Sequence, residues 1–538
     1  MRRRDFLKSS AAAAAGVAAP AVWSGAASAQ GRNETLLAIS ENAPNSQDIH
    51  GVGANRPAYE VSWNSYDRLM TYGVRKDEAG NDHYDFRKIE PELAEDMNAG
   101  ANSITFKLRR GATFHDGTPV TAKDVKWSFD RAVTVGGFPT FQMKAGSLEK
   151  PEQFVVVDDH TFRIDLLRKD HMTIPDIAVP VPAIYNSALC LKNATAQDPW
   201  AMEFTKNNGA GGGAYRVSRW QPGTEVVYER FEGWKSGPLP KIRRVIWRTI
   251  PSAGNRRALL ERGDADISFD LPNKDFAELA SARNLTVIGT PVENAMQYIG
   301  MNTKEGPFTN PKVRQAVAFA IPYQKIMDAV LFGRAAPLYG DADNVTTGFS
   351  WPQKHGYTTD LARAKALMAE AGVPNGFETT LSFDLGLAGI NEPLSILVQE
   401  SLAQIGIKVT INKIPGANWR NELLKKSMPL ITNTFGGWLN YPEYFFFWAY
   451  HGQNAVFNTM SYQNPKMDAL IDAARAAGAV ADKAAYEAAV KGFVDMSFDE
   501  VPRIPLFQPY LNVAMQKSIS GYRYWFHRQL DYRQLAKA

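Results

Sequence analysis

Short strands and amphipathic helices alternate along almost the whole of this 538-residue sequence, and that interleaving restricts the chain to α/β or α+β architectures. Runs that are β-branched or alternate apolar with polar residues, bounded by turn formers, predict strands at 34–40, 103–108, 154–157, 161–166, 225–229, 244–249, 379–383 and 408–413. Apolar positions at helical spacing predict helices at 122–133, 311–320, 361–371, 394–405, 465–477 and 481–498. Thr121 and Asn310 stand at N-cap positions, the latter ahead of Pro311, and Gly372 and Gly406 stand where C-caps belong. The length calls for two or three domains. No fixed-period repeat or long Ser, Gln or Pro tract breaks the pattern.

Residues 1–29 have the order of a removable export signal. Arg2, Arg3 and Arg4 come first, an alanine-rich stretch follows, and Ala27, Ser28 and Ala29 offer a cleavage site. Arg3-Arg4-Asp5-Phe6-Leu7-Lys8 matches the twin-arginine pattern that addresses folded chains to the bacterial export machinery. No later stretch has eighteen consecutive apolar residues, so no membrane anchor is expected. Cys190 is the one cysteine and lies far from the signal, which excludes an intramolecular disulfide and a lipidated cleavage site. The sequence has 60 Lys and Arg against 56 Asp and Glu, and four of those cations lie within the signal, so the remainder is nearly neutral. That balance argues against a nucleic-acid partner.

The segment 106–125, FKLRRGATFHDGTPVTAKDV, reads as a strand, a turn at Asp116-Gly117, and a helix capped by Thr121 that buries Val125 and Phe129. It also closely resembles the signature of the extracellular solute-binding proteins that serve dipeptide, oligopeptide and nickel importers, family 5. Other segments resemble the family in order: GAGGGAYRV at 209–217, 297–333 with Phe308 and RQAVAFA at 314–320, and 360–376 ending in Ala-Gly-x-Pro. Tyr462-Gln463-Asn464-Pro465 and PRIPLF at 502–507 complete the set. The resemblance spans about 34–525. It implies an α/β, two-lobed periplasmic-binding-protein fold with a hinge and an extra subdomain in the first lobe. By analogy lobe I covers 30–270 plus 505–538 and lobe II covers 271–504.

Catalytic and cofactor readings find no support in the residues. His115 beside Asp116 at a turn reads as a local hydrogen-bonding arrangement. The 8 histidines are scattered without helical i, i+4 spacing, so no metal site is expected. Gly209, Gly211, Gly212 and Gly213 lead into a strand with no Lys-Ser or Lys-Thr following, which excludes a phosphate loop and leaves close backbone packing. There is no Gly-x-Ser-x-Gly elbow. No cofactor and no enzymatic activity are expected.

The aromatic run at 436–448, GGWLNYPEYFFFW, exceeds what one short element can bury. Phe445 to Trp448 suit a core or a cleft equally, whereas Trp438 to Tyr441 suit a ligand cleft, where aromatic walls carry a few polar groups. The resemblance implies more. Peptide-binding relatives carry an Asp here that holds the ligand's α-amino group, and Asn440 takes its place, with Glu443 as a substitute if the loop is displaced. The expected ligand is therefore not an ordinary free-amine peptide, or is held differently at that end. Arg420 is a candidate for pairing with a ligand carboxylate through its planar fork. Trp63 and Asn64 with Tyr66, and the segment 42–50, are further candidates.

The expected function is periplasmic capture of a small solute, delivered as a monomer to a separate permease and ATPase. Peptides are the default ligand, and an opine, an oligosaccharide or another polar metabolite is the alternative. A periplasmic hydrolase and a peptide-binding sensor or chaperone are the readings from other classes.

Overall fold

A computed structural model describes residues 31, 33–51, 53–340, 351–453 and 457–538; the expected export signal at 1–29 lies outside them. Among the described residues, 12 strands form one continuous hydrogen-bonded sheet. Its main path runs Lys408–Ile414, Glu378–Asp384, Leu430–Gly436, Ala295–Met301, Arg503–Gln516, Ile267–Ser268, Thr35–Ser40, Arg244–Thr249, Glu225–Arg230, Tyr215–Gln221.

The strand Arg503–Gln516 stands in the middle of this path and joins its two halves. Its first part pairs with Ala295–Met301, Gly300 opposite Arg503 and Gln297 opposite Phe507. Its second part pairs with Leu285–Pro291, Pro291 opposite Tyr510 and Leu285 opposite Gln516. Two adjacent segments therefore cross between the halves of the molecule, tied by Val292 N–H donating to Pro509 O at 2.9 Å. Separate cores lie on the two sides. One gathers Leu36, Val61, Tyr215, Val245, Val513 and Trp525, and the others gather Ile299, Val317, Leu381, Val398 and Ile504, or Tyr298, Phe446, Ile471 and Phe493. Phe276, Leu279 and Leu285 pack with Ile39, Leu260 and Ala514. This is the two-lobed α/β architecture.

A four-stranded antiparallel sheet of Ala94–Ala99, Ser103–Leu108, Thr161–Asp165 and Phe154–Asp158 stands apart from the main sheet. Helix Ala122–Thr134 covers it. Asp124 fixes the helix start by accepting from the Thr121 N–H at 2.9 Å and hydroxyl at 2.8 Å. Val125 and Phe129 are fully buried, with Phe129 edge-on to Phe154 at 5.2 Å.

Sequence signals and structure meet closely where caps are present. Helix Pro311–Ala320 starts on the Asn310 cap, which accepts from Lys312 N–H, and Gly372 and Gly406 have φ of 79° and 84°. The helix expected at 481–498 is Lys483–Glu500, because Asp482 is the residue that caps it. The helix expected at 394–405 begins earlier, at Ala388, and carries Pro393 inside. The glycine run packs against backbone: a Cβ at Gly211 would lie 2.1 Å from Ser65 O. His115 Nε2 donates to Gly213 O at 2.9 Å and its N–H to Gly211 O at 3.0 Å, so the His-Asp-Gly turn and the glycine run form one structural joint.

Candidate ligand-binding site

Between the two halves lies a cavity of about 380 Å³. Tyr59, Phe138, Gln142 and residues 526–528 wall it on the first side; Arg420, residues 434–438 and Trp448 wall it on the second. Helix Pro442–Ala449 explains how one aromatic run serves two purposes. Its i, i+4 pair Tyr444 and Trp448 faces the cavity. Phe445 and Phe446 turn into the core, against Trp351, and Phe446 also against Phe493.

Trp438 enters from the second lobe and is gripped by rings of the first: Phe138 at 4.8 Å, His527 at 4.6 Å and Tyr59 at 5.3 Å. The Tyr444 hydroxyl donates across the same junction to Gln142 Oε1 at 2.8 Å.

The charges on this wall are all of one sign. Arg56, Arg420 and Arg528 line the cavity, and no Asp or Glu does so among the described residues. Arg56 opens helix Arg56–Ser65, whose Asn55 cap accepts from Ala58 N–H; its Nη1 donates to His527 O at 2.8 Å. Arg528 has a left-handed backbone, φ 63°. None of the three arginines forms an ion pair among the described residues. Burial and the neighbouring Arg56 push the Arg528 guanidinium down to about 9. Burial, then Arg56 and Arg528, hold His527 well below the usual imidazole range, so it is neutral. A carboxylate placed among these groups would supply the counter-charge that the protein withholds.

The residues singled out from sequence divide on this geometry. Trp438 and Arg420 line the cavity. Asn440 does not: it is 5% exposed and its Nδ2 donates to Glu293 Oε2 at 3.0 Å, while Glu293 pairs with Arg75. An aspartate at 440 would set two carboxylates against each other, which gives the amide its physical reason. Glu443 is buried against the Tyr486 hydroxyl at 2.7 Å and His171 Nε2 at 2.6 Å. Tyr441 packs edge-on to Phe86 and His171. Trp63 is buried 3.8 Å from the Trp525 ring, with Arg68 over its face at 3.7 Å. Asn64 pins the C-terminal segment by donating to Leu530 O and accepting from Tyr532 N–H. These five residues therefore do not line the cavity. Arg56, Tyr59, His527 and Arg528 do, although sequence reasoning passed over them; the aromatic-basic run Tyr524-Trp525-Phe526-His527-Arg528 was the available signal. Among the described residues no metal-ligand cluster occurs, and no helix is long and apolar enough to cross a membrane.

A two-lobed α/β frame with a cationic, aromatic-walled cavity at its junction defines a solute-binding protein. The sequence profile of bacterial extracellular solute-binding proteins, family 5 Middle, matches residues 88–457, and the chain belongs to that family. It is 30% identical over 452 residues to the glutathione-binding protein GsiB of Salmonella choleraesuis (strain SC-B67), covering 81% of this chain and 83% of that one. Identity to the glutathione-binding protein GsiB of Escherichia coli O157:H7 is 28% over 448 residues, with the same coverage. The structure of AgaA from A. tumefaciens R10 in complex with agropinic acid superposes with a TM-score of 0.76 at 25% identity, covering 94% of this chain and 99% of that one. Helicobacter pylori DppA, in complex with the peptide STSA, has the same fold at 20% identity and a TM-score of 0.76, covering 95% and 100%.

Proposed function

We propose that this chain is the solute-binding component of an ABC importer and that its solute is an anionic, peptide-like molecule with more than one carboxylate. Three arginines and, among the described residues, no carboxylate on the cavity wall carry this reading. Arg56 and Arg528 belong to one lobe and Arg420 to the other, so their mutual repulsion opposes closure of the empty cleft, and a dianion between them reverses the sign of that term. Binding and closure are thereby coupled through charge, while Trp438 and its partner rings give the solute an apolar wall. Glutathione, the ligand in the names of the relatives, is a tripeptide with two carboxylates and suits this chemistry.

Arg3-Arg4-Asp5-Phe6-Leu7-Lys8 directs the chain through the twin-arginine machinery to the periplasm, with cleavage near Ala29. There it works as a monomer and delivers its solute to a permease and ATPase that are separate chains. It performs no covalent chemistry and releases the solute unaltered. The first lobe is best placed at about 30–291 plus 508–538, beyond the expected limit of 270, because Phe276, Leu279 and Leu285 share a core with Ile39 and Ala514. A second reading, an acidic opine, is favoured by the structural likeness to the agropinic acid complex.

Isothermal titration calorimetry with glutathione, agropinic acid and the carboxylate-free peptide trialaninamide tests the reading. Saturable binding of an acid, weakened by salt as expected for opposite charges, with no binding of trialaninamide, supports it and separates the two solutes. Equal binding of trialaninamide would overturn it.

A further inference from the structure

Behind Arg56 and Arg528 lies a second recess, of about 200 Å³, and these two arginines stand in the walls of both cavities. The recess lies beyond the C-terminal ends of Thr35–Ser40 and Ile267–Ser268, which pair in parallel; open α/β sheets characteristically receive ligands outside the carboxyl ends of such strands. Trp247, Phe269 and two carboxylates, Glu60 and Asp270, line it. Glu60 is 8% exposed and accepts from Leu530 N–H at 3.0 Å and the Tyr532 hydroxyl at 2.5 Å. Asp270 Oδ2 accepts from Glu41 N–H at 3.0 Å. Neither forms an ion pair among the described residues. Burial pushes Glu60 up to about 7 and raises Asp270 too, the latter against an opposing pull from Arg256.

We propose that this recess is the subsite for the ammonium of an α-amino-acid headgroup on the solute, whose adjoining carboxylate rests on Arg56 and Arg528. The inference rests on the reading of an anionic peptide-like solute and places the one charge that reading leaves over. On the opposite lobe Asn440 offers no carboxylate, being taken up by Glu293. The main cavity wall offers none either. An α-ammonium stands one carbon from its carboxylate, so a headgroup held by the two arginines presents its nitrogen to the recess they border. Asp270 and Glu60 then become its partners.

Calorimetry on the signal-free chain with two probes decides this: glutathione, and glutaryl-cysteinyl-glycine, which keeps both carboxylates, lacks the amine and adds no bulk. Wild type should prefer glutathione by about tenfold or more, the range for hydrogen bonds to charged groups. Asp270→Asn and Glu60→Gln, each confirmed folded by circular dichroism, should abolish that preference while leaving the analogue's affinity unchanged. Arg528→Gln should weaken both ligands. Equal affinity of wild type for the two probes, or equal loss of both in Asp270→Asn and Glu60→Gln, overturns the ammonium subsite and leaves the acidic-peptide reading standing. Failure of wild type to bind either probe overturns the pair of proposals together for this solute class.

Discussion

Arg475 and Asp170 lie 305 positions apart in the chain and meet at 2.5 Å, Nη2 to Oδ2, across the junction of the lobes. The Asp170 side chain is only 1% exposed, and it also accepts from the Ser147 hydroxyl. Arg475 donates in addition to Ala145 O at 2.7 Å. The His171–Glu443 and Tyr444–Gln142 contacts lie on the same junction. Together they bridge the two lobes.

Arg475→Ala should shift the equilibrium toward an open form. An enlarged radius of gyration of the unliganded protein in small-angle scattering is the expected result. Ligand affinity should fall about tenfold, since a ligand that selects the closed state must then supply more of the closure free energy.

Within the first lobe, Asp48 is fully buried and accepts from Arg131, Thr205 and Tyr185. Asp48→Asn removes a charge from a desolvated pair and should cost about 3–5 kcal/mol in denaturant unfolding. The guanidinium of Arg131 outweighs the opposing effect of burial and keeps the Asp48 carboxyl below the usual carboxylate range. Its stabilising contribution is therefore present above about pH 4 and is lost as pH falls below that point.

Glu60 behaves in the opposite sense. Burial raises it from 4.5 to about 7, so below pH 4.5 it is protonated in both folded and unfolded chains and carries no penalty. As pH rises from there to about 7, only the unfolded chain releases the proton freely, and folding is progressively disfavoured. The stability of wild type relative to Glu60→Gln should fall by up to about 3 kcal/mol between pH 4.5 and 8 and level off above 7, as followed by urea unfolding at each pH.

Gly211→Ala should destabilise the protein by about 3 kcal/mol, the upper end for an overpacked site, because the Ser65 backbone and the Tyr66 ring both face the new methyl. A thermal melt measures the loss. Gly254→Ala, whose nearest neighbour is a hydroxyl at 4.0 Å, is the control that should show none.

Elements with local signals were legible in the sequence. Ser103–Leu108 and Arg244–Thr249 carry a β-branched, alternating pattern, Pro311–Ala320 carries a cap, and Lys483–Glu500 carries apolar residues at helical spacing. Ala295–Met301 was not, because all seven of its residues are buried and the alternation that marks a half-exposed strand is missing. The site was legible only in part for a different reason. Trp438 announced itself through composition and Arg420 through the family resemblance, but Arg56 and Arg528 come from opposite ends of the chain and are cationic residues of a kind that usually faces solvent. Only the fold makes them neighbours. Asn440 and Glu443 sat in a suggestive run, yet their partners, Glu293 and His171, are remote in sequence and determine which way they point.

The strand Arg503–Gln516 gives the molecule a schedule as well as a spine. Both halves of the sheet take a strand from it, and Trp525 and Tyr532 behind it complete the first core, so neither half can finish folding before residues 503–532 have been made. Until that moment the nascent chain carries two half-sheets with open edges, which are the surfaces a holding chaperone would have to cover.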